Sequence, residues 1–172
     1  MNKAFVYSLF VGIALLAACA LILSDKHEGV RSVLSPAADA VGGLFPIDRF
    51  SKNSFAPDVA RIYWSIAFLL VPVGFLCTVL ALVRPPVGDL GRREGVFDRL
   101  KRMFTAAILY ALSILGWISF SGRNARGLPI ADSVAGLAAY GWVPMSAIGI
   151  MFGVASVFAW KALFNSDFSG KQ

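Results

Sequence analysis

The side chains able to do chemistry in this chain of 172 residues are few and scattered. His27 is the only histidine, and no Cys/His/Asp cluster has the spacing of metal ligands, so no metal site is expected. The two cysteines, Cys19 and Cys77, fall at different depths of different apolar stretches, which argues against a disulfide. No serine has a histidine or lysine partner at depth, and no phosphate-cradling glycine loop follows a strand. The sequence therefore predicts neither a cofactor nor enzyme activity.

The elements that would have to position any site explain this poverty. Four apolar stretches, 4–23, 62–83, 104–120 and 142–164, carry no charged side chain until Lys161 near the end of the last. A hydrocarbon core about 30 Å thick needs roughly 20 apolar residues per helix, with a range of about 17–25, and all four stretches qualify. Inside lipid every backbone N–H and C=O must be satisfied within its own segment, so these stretches are helices. Intramembrane Asp, Glu, His, Lys or Arg usually marks a proton relay or an ion path. Their absence away from the span ends argues against ion-coupled transport as well as catalysis. The composition agrees, with 58% hydrophobic and 15% charged residues and a mean hydropathy of +0.71. The expected fold is an all-α integral membrane protein, one four-helix transmembrane bundle covering 1–172.

The net charge of +6 is concentrated in one connection, which points to anionic headgroups and topology rather than nucleic acid. Loop 84–103 holds Arg84, Arg92, Arg93, Arg99, Lys101 and Arg102. Basic loops stay on the cytoplasmic side, so this loop and both termini are expected inside, with loops 24–61 and 121–141 external. Interfacial aromatics are expected at the span ends: Tyr63, Trp64, Trp117, Phe120, Tyr140, Trp142 and Trp160. In loop 24–61, Val30, Val33, Leu34, Ala37, Val41, Leu44 and Phe45 recur at helical spacing and suit an amphipathic helix at the interface or a docking element. The mixed-charge segment 47–55 that follows reads as the most exposed external surface. Val96, Phe97, Leu100, Met103 and Phe104 form an apolar stripe opposite Arg99, Lys101 and Arg102, an interfacial lead-in to the third span with its basic face on anionic lipid.

Three motifs bear on packing and processing. Gly149 and Gly153 form a GxxxG in the last span, and Ser8 and Gly12 offer a similar face on the first; small residues four apart let helix backbones approach closely. Packing within the bundle is the first reading of these faces, and pairing with a second copy the other. Pro72 interrupts the second span and predicts a kink, because proline frees the carbonyl of Phe68. Leu16-Ala17-Ala18-Cys19 matches the cleavage pattern of bacterial lipoproteins, which would lipidate Cys19. The apolar run Ala20-Leu21-Ile22-Leu23 continues past it, which favours a retained first span instead.

The layout resembles the four-span immunity proteins that protect bacteria from pore-forming toxins, of the colicin A type. The likeness lies in size, inside termini and a long first external loop ending Asn53-Ser54-Phe55-Ala56-Pro57. It extends to a basic cytoplasmic loop and a short second external loop with Gly122, Arg123, Arg126 and Gly127. The resemblance implies a multi-pass protein of the bacterial inner membrane whose helix faces and external loops block a toxin's pore-forming segment. Asp48, Arg49, Lys52, Asp58, Arg123 and Arg126 are then the candidate toxin or partner contacts. The competing expectations are a small accessory subunit of a secretion or transfer complex and, third, a channel or transporter component.

Overall fold

The computed structural model describes residues 3–82, 96–120 and 129–164. Among these residues the chain forms eight helices and no strand: α1 (Lys3–Lys26), α2 (Glu28–Leu44), α3 (Ile47–Ser51), α4 (Pro57–Ala67), α5 (Leu70–Leu82), α6 (Val96–Ser119), α7 (Val134–Tyr140) and α8 (Trp142–Phe164). Four lengths are long and apolar enough to cross a membrane, namely Ala4–Lys26, Pro57–Leu82, Val96–Ser119 and Val134–Leu163. The protein is an all-helical, multi-pass membrane protein.

Each helix boundary has a local cause. Ala and Leu carry α1 to the polar run Ser24-Asp25-Lys26, where the Arg31 Nε donates to the Ser24 carbonyl at 3.2 Å and satisfies one of the orphan acceptors of the helix end. His27 alone is extended, and α2 starts immediately after it with Glu28 in its first turn, where the helix dipole favours an anion. Pro57 sits in the first turn of α4, where no N–H is needed, with Asp58 beside it. Ser133 caps α7 by accepting from the Gly136 N–H at 3.0 Å.

The second span is two helices, broken at Phe68–Leu69 rather than at Pro72 itself. Pro72 has no N–H to offer the Phe68 carbonyl, and the Val71 N–H takes its place at 3.1 Å. The tighter turn this makes ends α4 one turn ahead of the proline. The third span also departs from expectation. Residues 96–103 are no separate lead-in lying in the interface but the first turns of α6, a rod of 24 residues, about 36 Å long.

The extensive pairings run from α1 to α4 and α5, from α5 to α8, and from α8 to α6. Among the described residues no extensive pairing joins α6 back to α1, and the described bundle is unclosed on that side. The short helices thicken one end: α2 lies on α1 and α4, α3 on α4, and α7 on α1. Several serine and threonine hydroxyls at membrane depth donate to carbonyls of their own helices, while the Tyr110 hydroxyl meets Ser156 across the α6–α8 contact at 2.7 Å. Thr78 donates to the Gly74 carbonyl at 2.9 Å, Ser113 to Leu109 at 2.7 Å and Ser146 to Trp142 at 2.7 Å.

Candidate functional site

The first place where the spans could do work is the seam between α5 and α8. A β-carbon at Gly149 would meet the Val71 carbonyl oxygen at 2.3 Å, and one at Gly153 would meet the Thr78 Cβ at 2.7 Å and the Phe75 carbonyl oxygen at 3.0 Å. Backbone lies against backbone here, as the GxxxG spacing allows. The two helices run in the same direction, since residues increase together along both. Gly74 and Thr78, also four apart, are the matching small pair on α5, a signal present in the sequence but not read there. The seam lies within one chain, so the Gly149/Gly153 face is already occupied.

The companion face is not packed. Ser8 and Gly12 are exposed, and nothing lies within 4 Å of a β-carbon built at Gly12. Among the described residues nothing packs over a side chain at Gly12, and this face is left open. Phe5, Leu15 and Cys19 are exposed too, while Ala17 and Leu21 on the opposite face are fully buried. On the far side of the unclosed gap, α6 exposes Phe104, Ile108, Leu112 and Leu115. Both helices beside the open side thus keep an exposed face without a charged residue. Cys77 is half-buried and, like Cys19, a free thiol.

One end of the spans is closed by an aromatic knot. Phe50 of α3 stands 5.9 Å from Trp64, 5.5 Å from Trp117 and 5.5 Å from Phe120, measured between ring centroids. Trp64 in turn meets Phe120 at 5.6 Å and Tyr63 at 5.2 Å. These separations suit edge-on and tilted aromatic contacts. Tyr63, Trp64, Trp117 and Phe120 were expected as interfacial anchors; Tyr63 and Trp64 are instead wholly buried core, and Trp117 and Phe120 pack against that core. Tyr140, Trp142 and Trp160 keep exposed rings. Segment 47–55 is corrected likewise: Ile47, Phe50 and Ser51 are buried, because a five-residue helix turns them onto α4.

Ion pairs fasten this cap. Arg61 of α4 reaches Asp39 of α2 at 2.6 Å and Asp48 of α3 at 2.8 Å. Its guanidinium passes over Gly42, where a β-carbon would sit 3.0 Å from Nη2. Arg49 donates to the Ile118 carbonyl and so joins α3 to the end of α6. The Phe55 N–H donates to the Ala131 carbonyl at 2.9 Å, tying the two loop regions together. Asp48 and Arg49 are therefore structural clamps as well as surface charges, whereas Lys52 and Asp58 are exposed. Arg123 and Arg126 lie outside the described residues. Partly exposed pairs contribute about 0–1 kcal/mol each, so Arg61→Gln is expected to cost about 1 kcal/mol and to speed proteolysis between α2 and α3. Digestion rates like those of the unsubstituted protein would contradict that role.

Among the described residues no group of three or more His, Cys, Asp or Glu could hold a metal ion. The arrangement offers close helix contacts, a fastened cap and an open apolar side. The chain matches no protein-family model, no curated protein and no solved structure, and its own geometry is what speaks for its role.

Proposed function

We propose that the protein is a non-enzymatic membrane protein that acts by binding an apolar helical segment of a partner within the bilayer. The single observation behind this reading is that α1 and α6 are not extensively paired among the described residues and that each keeps an exposed charge-free face, Ser8 and Gly12 lying on that of α1. Without a hydrophobic driving force inside lipid, helix association depends on close packing, and a small-residue face is where another helix approaches best. Several span hydroxyls are engaged with carbonyls of their own helices, and apart from Lys161 the stretches 4–23, 62–83, 104–120 and 142–164 carry no charged residue.

The partner fitting this surface, together with the likeness of layout described above, is the pore-forming hairpin of a bacterial toxin. The protein would then be an immunity protein of the bacterial inner membrane, with its termini cytoplasmic and the aromatic cap facing the toxin. Of the candidate contacts among the described residues, Lys52 and Asp58 are exposed, and Arg123 and Arg126 remain candidates beside them. The first span is retained on this reading, since cleavage before Cys19 would remove Ala17, Phe10 and Ile13 from the core.

The test is protection. Full-length protein is produced in sensitive bacteria, which are challenged with a hydrophobic-hairpin toxin encoded next to its gene. Photo-crosslinkers are placed at Leu15 and Ile108. Survival, a preserved membrane potential and crosslinks to the toxin hairpin are expected. Death of cells with correctly inserted protein refutes immunity, and crosslinks to a resident secretion complex instead identify an accessory subunit.

A further inference from the structure

We propose that residues 40–47, the corner between α2 and α3, dip among the acyl chains of the bilayer as a re-entrant tip. Asp39 and Asp48 stand at the two ends of this segment, and both hold Arg61 of α4, at 2.6 Å and 2.8 Å. The turn between them touches α4 at a different place: the rings of Phe45 and Phe68 are 4.0 Å apart. Arg61 and Phe68 are seven residues apart, so they share one face of the helix, about two turns or 10 Å from each other along its axis. The chain therefore leaves Arg61 at Asp39, follows that face to Phe68 and comes back to Arg61 at Asp48. Its direction is inward, because Arg61 is the last charged residue before the apolar stretch 62–83 and Phe68 lies within that stretch.

Charge, backbone bonding and exposure all suit that depth. Residues 40–47 carry no ionisable side chain. One guanidinium gathers the two flanking carboxylates at the edge of the span, so the charge stays at the ends of the hairpin. The turn itself satisfies its own donors, which lipid requires and water does not. The Phe45 N–H donates to the Val41 carbonyl at 3.0 Å, and the Ile47 N–H donates to the Phe45 carbonyl at 2.7 Å. Between them Pro46 has no N–H to satisfy. Protein does not cover this turn: among the described residues Gly43, Phe45 and Pro46 are exposed. Pro72 and Leu76, about one and two turns beyond Phe68 on the same span, are exposed as well. An uncharged surface left open at that depth is covered by acyl chains, and its apolar burial anchors the cap in the leaflet.

This placement does not depend on the toxin-binding role. Single cysteines are introduced by Gly43→Cys, Phe45→Cys or Lys52→Cys into full-length C19S/C77S protein, held in phosphatidylcholine nanodiscs whose two faces are both open to reagent. A membrane-impermeant maleimide should label positions 43 and 45 at least about tenfold more slowly than position 52, since an apolar surrounding suppresses the reactive thiolate. Bimane attached at 43 or 45 should be quenched by lipid carrying a nitroxide on its acyl chain and spared by aqueous iodide; at 52 the order should reverse. Melting alongside the C19S/C77S parent shows that each variant is folded. The first carbon added at Gly43 meets nothing within 4 Å among the described residues, so this position decides the matter even if Phe45→Cys unfolds. Labelling at position 43 as fast as at 52 would put the tip in water, and quenching by neither agent would put it under protein. Either result overturns the proposal.

Discussion

Gly149→Ile is expected to be the most damaging single substitution in the spans. The first added carbon would lie 2.3 Å from the Val71 carbonyl oxygen and 3.0 Å from the Val71 Cα. Both are main-chain atoms, which cannot turn aside as a side-chain tip would, so α5 and α8 must separate. Overpacking a well-filled interior costs about 1–3 kcal/mol, occasionally more, and here the separated helices also lose contact along their whole seam. Gly153→Ile should follow with a smaller loss, because Thr78, a side chain, forms part of its obstacle. The control is Gly12→Ile, whose first added carbon meets nothing within 4 Å among the described residues; its effect should stay within about 0.5 kcal/mol. Thermal unfolding of the three variants in the same lipid decides the matter. Gly149→Ile melting with the unsubstituted protein would mean that the α5–α8 seam does not exist as described.

The second large effect is expected outside the spans, at Phe50→Ala. Phe50 is 1% exposed, and its ring meets those of Trp64, Trp117 and Phe120 together. Removing a buried phenyl group costs about 3–5 kcal/mol, and the loss would fall on the joint between α3, α4 and α6. Water reaching Trp64 and Trp117 should shift tryptophan emission to longer wavelength and release the Arg49 contact to Ile118. Lys52→Ala, two residues on and exposed, should change stability by no more than about 0.5 kcal/mol. If the two variants unfold alike and emit alike, the cap is not held by its aromatic knot. The consequence reaches the proposed function, since a loosened cap would leave Lys52 and Asp58 without a fixed surface on which to meet a partner.

The spans were legible because lipid imposes a one-dimensional rule: enough apolar residues in a row, and a backbone that satisfies itself. The last span could be marked on the sequence at 142–164, the limits of α8. The GxxxG spacing likewise shows on the page that Gly149 and Gly153 share one helix face. What it cannot show is the occupant of that face, because close approach is a property of two helices. Gly74 and Thr78 hold the answer on a segment of the chain some 75 residues earlier, and Ser8 and Gly12 carry the same spacing on a face left exposed among the described residues.

Pro72 illustrates the same division on a shorter scale. A proline fixes which carbonyl loses its donor, and here the altered hydrogen bonds end the helix at Phe68–Leu69, one turn earlier. Phe50 marks the limit. In a segment of Asp, Arg, Ser, Lys and Asn its ring looked like one more exposed residue, and only the return of α3 onto α4 and α6 buried it. Local composition and periodicity determined that this is a four-span membrane protein without ionisable groups at depth. The tertiary structure alone decided which faces are spent on one another, which remain open to lipid or a partner, and which charges serve as clamps. Those outcomes depend on distances between segments far apart in the chain, and no spacing within a single segment encodes them.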